Sequence, residues 1–158
     1  MGEGLGVREQ RRDKTMTAYL DKLASLTPMG YAVIVNKATE YPNTSEFNAV
    51  KTHGTYLCRR CGLALFRAHS QFHSGCGWPS FDEDLHQTVY ESLDADGRRM
   101  EIMCERCHSH LGHVFDGEYL TAANRRYCVN GLSLDYVEDN TVLDTEEAIV
   151  AGGCFWGG

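Results

Sequence analysis

Apolar residues repeat at helical spacing near the start of the chain. Within residues 15–26 they fall at positions 16, 19, 20, 23 and 26, which predicts one amphipathic helix. The segment 27–30 holds a proline and a glycine and is predicted to end that helix. Residues 32–35 are predicted to form a short extended or helical piece next to the turn-rich stretch EYPNTSEF.

Beyond residue 53 the pattern changes to short segments rich in β-forming residues. Seven strands are predicted, at 55–57, 63–66, 88–93, 99–103, 112–115, 125–129 and 132–137. Turn residues separate most of them, and DADG at 94–97 is typical of a hairpin turn. Several short strands at close spacing favour a mainly β fold, a sandwich or open barrel with one helix in front.

The overall composition narrows the class of protein. The 158 residues are expected to form one main domain at 15–140, between a flexible leader at 1–14 and a C-terminal segment at 141–158. A net charge of −7 argues against a nucleic-acid surface. No apolar run approaches the ~18 residues of a membrane span, and the N-terminus lacks the apolar segment of a signal peptide. The expected location is therefore the cytoplasm, where thiols stay reduced.

Seven cysteines are the next feature, and in a reducing compartment they are candidate metal ligands or reactive thiols. Four of them form two C-x-x-C pairs, CRRC and CERC, at Cys58, Cys61, Cys104 and Cys107. Each pair can point two thiolates at one metal ion, and four thiolates leave no open coordination position, so the spacing predicts a structural zinc site. Two redox-active pairs are the alternative, although neither pair has the strand–helix setting of a thioredoxin-type motif.

Two of the remaining thiols have unusual neighbours. Cys76 lies between two glycines in SGCGWPSF, which leaves it accessible. Cys128 follows two arginines in RRYCVNG, and nearby arginines can raise the thiolate fraction, although a cysteine on a strand is more often an inert core residue. Three histidines in HSHLGHVF can transfer protons near neutral pH, with a second metal site or a solvated cluster as the alternative.

Five stretches in combination resemble the methionine-R-sulfoxide reductases of the B type: TEYPNTSEF, GTYLCRRCGLALF, SQFHSGCGWPSF, RRMEIMCERCHSHLGHVF and RRYCVNGLSL. They cover roughly residues 15–137, in the family's order. The resemblance implies a β fold of two antiparallel sheets with a structural zinc, and an enzyme that reduces the R epimer of methionine sulfoxide, mainly within proteins. It makes 15–140 the reductase domain and suggests thioredoxin as the reductant.

The resemblance also implies roles for single residues. Cys128 corresponds to the nucleophile and Cys76 to the thiol that resolves its sulfenic acid, and the glycines beside Cys76 are expected to let it travel to Cys128. Trp78 corresponds to the aromatic that receives the substrate methyl group, with a plain core tryptophan as the alternative. The polar positions that line the pocket correspond to His110, His113 and Asn130. Either histidine is a candidate proton donor, and Asn130 is expected to hold the oxygen.

The last eight residues, AGGCFWGG, lie beyond that resemblance. GCFWG at 153–157 resembles the nucleophile segment of the A-type reductases, which act on the S epimer. The chain is therefore interpreted as the B domain of a B–A fusion with an incomplete A segment, without S-epimer activity. Cys154 is interpreted as part of an exposed, disordered tail, or of a tail that docks in a neighbouring active site.

Two departures from the family and two rival functions remain. The chain lacks the glycine-proline pair that commonly follows HVF, and it has Tyr136 where many members have phenylalanine. A zinc-ribbon module that binds a partner protein would explain the four paired cysteines but not Cys76, Cys128 and the histidines together. A general disulfide oxidoreductase would use the C-x-x-C pairs themselves.

Overall fold

A computed structural model of the chain describes residues 22–139. Residues 22–24, within the predicted first helix, are helical; the rest of that helix, the leader and the predicted A-type segment with Cys154 lie outside the described residues. In residues 22–139 no helix is long and apolar enough to cross a membrane.

The segment at 27–30 follows the end of the first helix, as predicted, and also begins a second one. Helix α1 spans Pro28–Ile34, and the Thr27 side chain accepts a hydrogen bond from the Gly30 N–H at 3.0 Å. A proline in the first helical turn costs nothing, because that position has no intrahelical acceptor for its N–H. Thr27 therefore caps the helix, and Pro28 begins its first turn.

Nine strands follow within residues 22–139: β1 (Gly54–Cys58), β2 (Ala64–Arg67), β3 (Gln71–Phe72), β4 (Ser80–Phe81), β5 (Val89–Leu93), β6 (Met100–Cys104), β7 (His110–Asp116), β8 (Arg125–Val129) and β9 (Leu134–Glu138). They form two antiparallel sheets, ordered β2-β1-β9 and β3-β4-β8-β7-β6-β5. Short 3₁₀ turns lie at Glu46–Asn48, Ala68–Ser70 and Gly131–Ser133. The predicted mainly β fold with two antiparallel sheets is confirmed.

The core lies between the two sheets and is rich in aromatic rings. Tyr56 of the small sheet meets Phe81 of the large sheet at 5.0 Å between ring centroids, and Phe66 stacks on the same Phe81 at 4.2 Å. Tyr127 of β8 also packs on Phe66, at 5.5 Å. Alternation along β8 then places Cys128, which lies between two core residues, on the opposite face of the large sheet.

That opposite face carries one row of polar side chains across four strands. Glu101 pairs with His113, His113 pairs with Cys128, and Cys128 pairs with Ser80. Residues directly opposite each other in an antiparallel sheet point to the same side. The register therefore brings together four residues that are far apart in sequence.

Candidate active site

Two thiols meet at the centre of this face. Cys128 is half-buried on β8, and Cys76 is half-buried in the loop that joins β3 to β4. Their Sγ atoms lie 3.8 Å apart, and Cys76 Sγ is also 3.5 Å from Ser80 Oγ. The glycines beside Cys76 have φ values of +81° and +101°, which ordinary residues rarely adopt. The loop already holds the Cys76 sulfur against Cys128, so the expected travel of Cys76 is short, from 3.8 Å to an S–S bond of about 2.05 Å.

The contact makes the two thiols titrate as a pair. The hydrogen bond with Cys128 lowers the pKa of Cys76 to about 4. The same hydrogen bond, together with burial, raises the pKa of Cys128, while the nearby Arg126 favours its charged form. Near neutral pH the pair therefore carries one negative charge, which the two sulfurs share through one proton.

A cavity of about 160 Å³ opens beside the two sulfurs. Its lining includes both thiols and the residues Trp78, His113, Phe115 and Asn130. The Arg126 guanidinium lies 4.6 Å from the centroid of the Phe115 ring and forms an ion pair with Glu118 at 2.7 Å. The cavity therefore has both apolar and polar walls beside a thiolate.

Trp78 and Asn130 are both held by the main chain of Glu40. The Trp78 indole N–H donates to the Glu40 carbonyl oxygen at 3.0 Å, and the Glu40 N–H donates to Asn130 Oδ1 at 3.0 Å. The Asn130 amide also donates to the Leu111 carbonyl oxygen at 2.9 Å. One Nδ2 hydrogen remains for a ligand, because the amide group carries two.

The Glu40 side chain binds the two residues that follow Asn130, a role that the sequence did not predict. It is 3% exposed, and its two carboxylate oxygens accept hydrogen bonds from Gly131 N at 2.8 Å and Leu132 N at 3.1 Å. Burial raises the pKa of this carboxyl group, partly offset by those two hydrogen bonds. Its position in the matching stretch TEYPNTSEF was the only available signal.

The two candidate histidines occupy different positions. His113 lines the cavity, and its Nε2 lies 2.6 Å from Asp94 Oδ2. His110 was expected to line the same pocket, but it is 3% exposed, is not part of the cavity wall, and lies behind His113 at 5.9 Å between ring centroids. Its Nδ1 is 2.8 Å from Glu101 Oε2. Sequence reasoning missed Asp94, in the turn after β5, and Glu101, on β6, because only the folded sheet brings them to the histidines.

The four paired cysteines form one cluster, made of Cys58, Cys61, Cys104 and Cys107. Their sulfurs all lie within 4.8 Å of one another, with contacts of 3.5 and 3.6 Å between the two pairs. Zn–S bonds of about 2.3 Å in a tetrahedron require sulfurs about 3.8 Å apart. The cluster therefore fits a tetrahedral metal ion, which would fasten the end of β1 in the small sheet to the end of β6 in the large one.

Comparison with known proteins agrees with this geometry. The SelR domain family model matches residues 26–138. Peptide methionine sulfoxide reductase B2, chloroplastic, of Arabidopsis thaliana is 44% identical over 121 residues, which cover 76% of this chain and 60% of that protein. Peptide methionine sulfoxide reductase B5 of Oryza sativa subsp. japonica is 43% identical over 114 residues, covering 72% of this chain and 84% of that protein.

A bacterial relative gives a similar result. Peptide methionine sulfoxide reductase MsrB of Leifsonia xyli subsp. xyli (strain CTCB07) is 44% identical over 115 residues, covering 70% of this chain and 82% of that protein. Some plant relatives are longer, and the chain spans only 60% and 50% of the length of two of them. The family match over residues 26–138, with relatives at 43–44% identity, shows that the chain belongs to the SelR-domain family of B-type peptide methionine sulfoxide reductases.

Proposed function

We propose that the chain reduces the R epimer of methionine sulfoxide, within proteins or as the free amino acid, by thiol chemistry at Cys128 and Cys76. One observation carries the proposal: two thiols in contact at 3.8 Å form the wall of a cavity that also presents Trp78 and His113. A sulfoxide carries a polar S–O bond and small apolar groups on one sulfur atom. The cavity offers a surface for each part.

In the first step the Cys128 thiolate attacks the sulfoxide. A new S–O bond forms on Cys128, the S–O bond of the substrate breaks, and one proton is taken up. Methionine leaves as the thioether, and Cys128 becomes a sulfenic acid, oxidised by two electrons. The proton that the pair shares can move to Cys76, which leaves the negative charge on Cys128 for the attack.

In the second step Cys76 attacks the Cys128 sulfur. An S–S bond forms, the S–O bond of the sulfenic acid breaks, and the oxygen leaves as water. The resulting disulfide is reduced by two exchange steps with an external dithiol, for which the family resemblance suggests thioredoxin. The product of one cycle is therefore one methionine, one water and one oxidised dithiol.

His113 is the better placed of the two candidate proton donors. Its ring lines the cavity, and the Asp94 carboxylate accepts a hydrogen bond from its Nε2 at 2.6 Å. The other ring nitrogen, Nδ1, is not used in that contact. His110 is too deeply buried to reach a substrate directly. Asn130 has one free amide hydrogen for the sulfoxide oxygen.

Zinc is the metal that we propose for the four-cysteine cluster, because four thiolates in a tetrahedral arrangement suit it best. It would be held by all four cysteines and would supply structural stabilisation without a step in the reaction. We also propose that residues 15–140 are the reductase domain and that GCFWG at 153–157 is an A-type remnant.

The function is tested with the full chain, racemic N-blocked methionine sulfoxide and dithiothreitol, followed by separation of the two epimers. The R epimer should disappear and the S epimer should remain. Cys128→Ser should abolish the reaction, whereas Cys154→Ser, the matched cysteine control, should retain it. If both epimers persist while the metal is bound, the reductase proposal fails and a zinc-ribbon binding module takes its place.

The role of Cys76 needs a second assay. Cys76→Ser should stay active with dithiothreitol, which can reduce a sulfenic acid directly, and should lose turnover with thioredoxin. A single turnover of this variant should yield one methionine per chain and a Cys128 that reacts with a sulfenic-acid probe. Equal turnover of Cys76→Ser and the unmodified chain with thioredoxin would remove Cys76 from the mechanism.

A further inference from the structure

A buried carboxylate lies at one end of the polar row on the catalytic face. Glu101 is 4% exposed, and each of its two oxygens has its own partner. Oε1 accepts a hydrogen bond from Lys37 Nζ at 3.2 Å, and Oε2 lies 2.8 Å from His110 Nδ1. Burying a carboxylate is unfavourable unless it is paired, so both contacts are needed for its stability.

This contact determines where the His110 proton lies. Burial lowers the pKa of His110, against the opposing effect of Glu101, and so favours the neutral ring, which carries a single N–H. A carboxylate oxygen can only accept, so the proton lies on Nδ1 and Nε2 is left as an acceptor. That Nε2 is buried and has no hydrogen-bond partner among the described residues.

His110 is placed to support the reaction although it does not line the cavity. Its ring edge faces the His113 ring at 5.9 Å between centroids, and Glu101 itself pairs with His113 across β6 and β7. The Ser133 hydroxyl donates to the His110 carbonyl oxygen at 2.7 Å, which fixes the backbone. Any rotation or change of tautomer at His110 therefore acts on the ring that faces the substrate.

We propose that Glu101 is a positioning residue of the reductase, which holds His110 in the Nδ1–H form against His113 while Lys37 occupies its other oxygen. This inference rests on the proposed function for its effect on turnover. Its effect on the His110 ring can be measured without turnover. Lys37 is 57% exposed in its side chain and serves to fix the orientation of the carboxyl group.

The substitution Glu101→Gln gives a sharp test, because glutamine has only one acceptor oxygen. The Lys37 ammonium repels the amide N–H₂ group, so the amide oxygen faces Lys37 and the N–H₂ group faces His110. The amide then donates to Nδ1, which forces the His110 proton onto Nε2. We expect kcat for the R epimer to fall about tenfold or more, with a smaller change in KM.

Removing the charge on Lys37 should reverse this effect. In Lys37→Met/Glu101→Gln the amide is free to rotate, its oxygen faces His110 again, and kcat should recover most of the loss. Lys37→Met alone should leave the His110 proton on Nδ1, because the Glu101 carboxylate can still only accept from that nitrogen. Asp135→Asn is the matched carboxylate control, since Asp135 pairs with Arg59 at 3.1 Å on the small sheet.

Nitrogen NMR of the His110 ring separates this inference from the proposed function. The unmodified chain should show a protonated Nδ1 and a bare Nε2, and Glu101→Gln should show the reverse. A bare Nδ1 in the unmodified chain would overturn the proposal, even if Glu101→Gln does not fold. An unchanged tautomer or unchanged kcat in a folded Glu101→Gln would overturn it too. An inactive unmodified chain with the expected tautomers would count against the proposed function alone.

Discussion

Gly112 of β7 offers the strictest test of how the sheet positions the nucleophile. A Cβ atom added at Gly112 would lie 2.0 Å from the Cys128 carbonyl oxygen and 3.2 Å from Val129 Cα. Real Cβ contacts are essentially never shorter than 3.0 Å, so Gly112→Ala must separate β7 from β8 by about 1 Å. Both obstructing atoms are backbone, so rotating a side chain cannot relieve the contact.

The expected result follows from that displacement. A misplacement of about 1 Å of a catalytic group can lower the rate about 100-fold, which corresponds to about 2.7 kcal/mol in the activation free energy. Overpacking of this kind lowers the free energy of unfolding by about 1–3 kcal/mol, and a domain with about 5–15 kcal/mol of stability remains folded. Gly112→Ala should therefore be a folded protein with a kcat about 100-fold lower.

The assay measures kcat on the R epimer together with thermal unfolding. Gly117→Ala is the control: Gly117 has a φ of +87° with nothing within 4 Å of a new Cβ, so only the backbone cost of about 1 kcal/mol applies. It should lower stability modestly and leave kcat within twofold. A folded Gly112→Ala that retains kcat within threefold would refute the claim that this contact sets the position of Cys128.

Three further predictions concern the thiols, the metal and the substrate pocket. Alkylation of Cys76 in the reduced chain should follow a midpoint near pH 4, because a lowered pKa keeps the thiolate present as the pH falls. Cys128→Ser should raise that midpoint, which mass spectrometry of the alkylated peptide measures. A midpoint that stays the same in Cys128→Ser would contradict the pairing of the two thiols. Removing the metal from the four-cysteine cluster with a chelator should lower the unfolding temperature by several degrees, and a chain purified without bound metal would contradict the structural site. Trp78→Ala should raise KM for the R epimer about fourfold, equivalent to ~0.8 kcal/mol for one buried methyl group; an unchanged KM would assign Trp78 to packing alone.

Local sequence patterns were sufficient to predict a strand where that strand is long enough to show alternating apolar and polar residues. All seven predicted strands have counterparts in β1, β2 and β5 to β9, and the DADG turn joins β5 to β6 with Gly97 at a φ of +72°. The strands β3 and β4 have two residues each, too few for a period to be detectable. They are defined by their pairing with β8, which is a tertiary contact.

The residues of the candidate site also differ in whether the local sequence could reveal them. Cys76 and the two C-x-x-C pairs were singled out from their sequence neighbours, whereas the role predicted for Cys128 came from the family resemblance, because a cysteine on a strand is more often an inert core residue. Glu101, Asp94 and Glu40 were not found, because each acts on a residue from another part of the chain. Glu40 supports residues 131 and 132, about ninety positions away, and only the folded chain brings them together. A buried carboxylate on a strand otherwise looks like any polar residue in an alternating pattern.

The proposed division of labour between the two thiols is consistent with the position of each in the fold. Cys128 lies on a strand paired on both sides, with β4 and with β7, so its backbone is fixed. A disulfide requires the sulfurs to approach from 3.8 Å to about 2.05 Å, and this movement must come from Cys76 in its glycine-flanked loop. The rigid sheet therefore suits the step that needs a fixed nucleophile, and the loop suits the step that needs motion. With the roles exchanged, the nucleophile would lie on the mobile loop and the resolving thiol on the fixed strand. The first step would then lack a fixed nucleophile, and the second step would lack the motion that it needs.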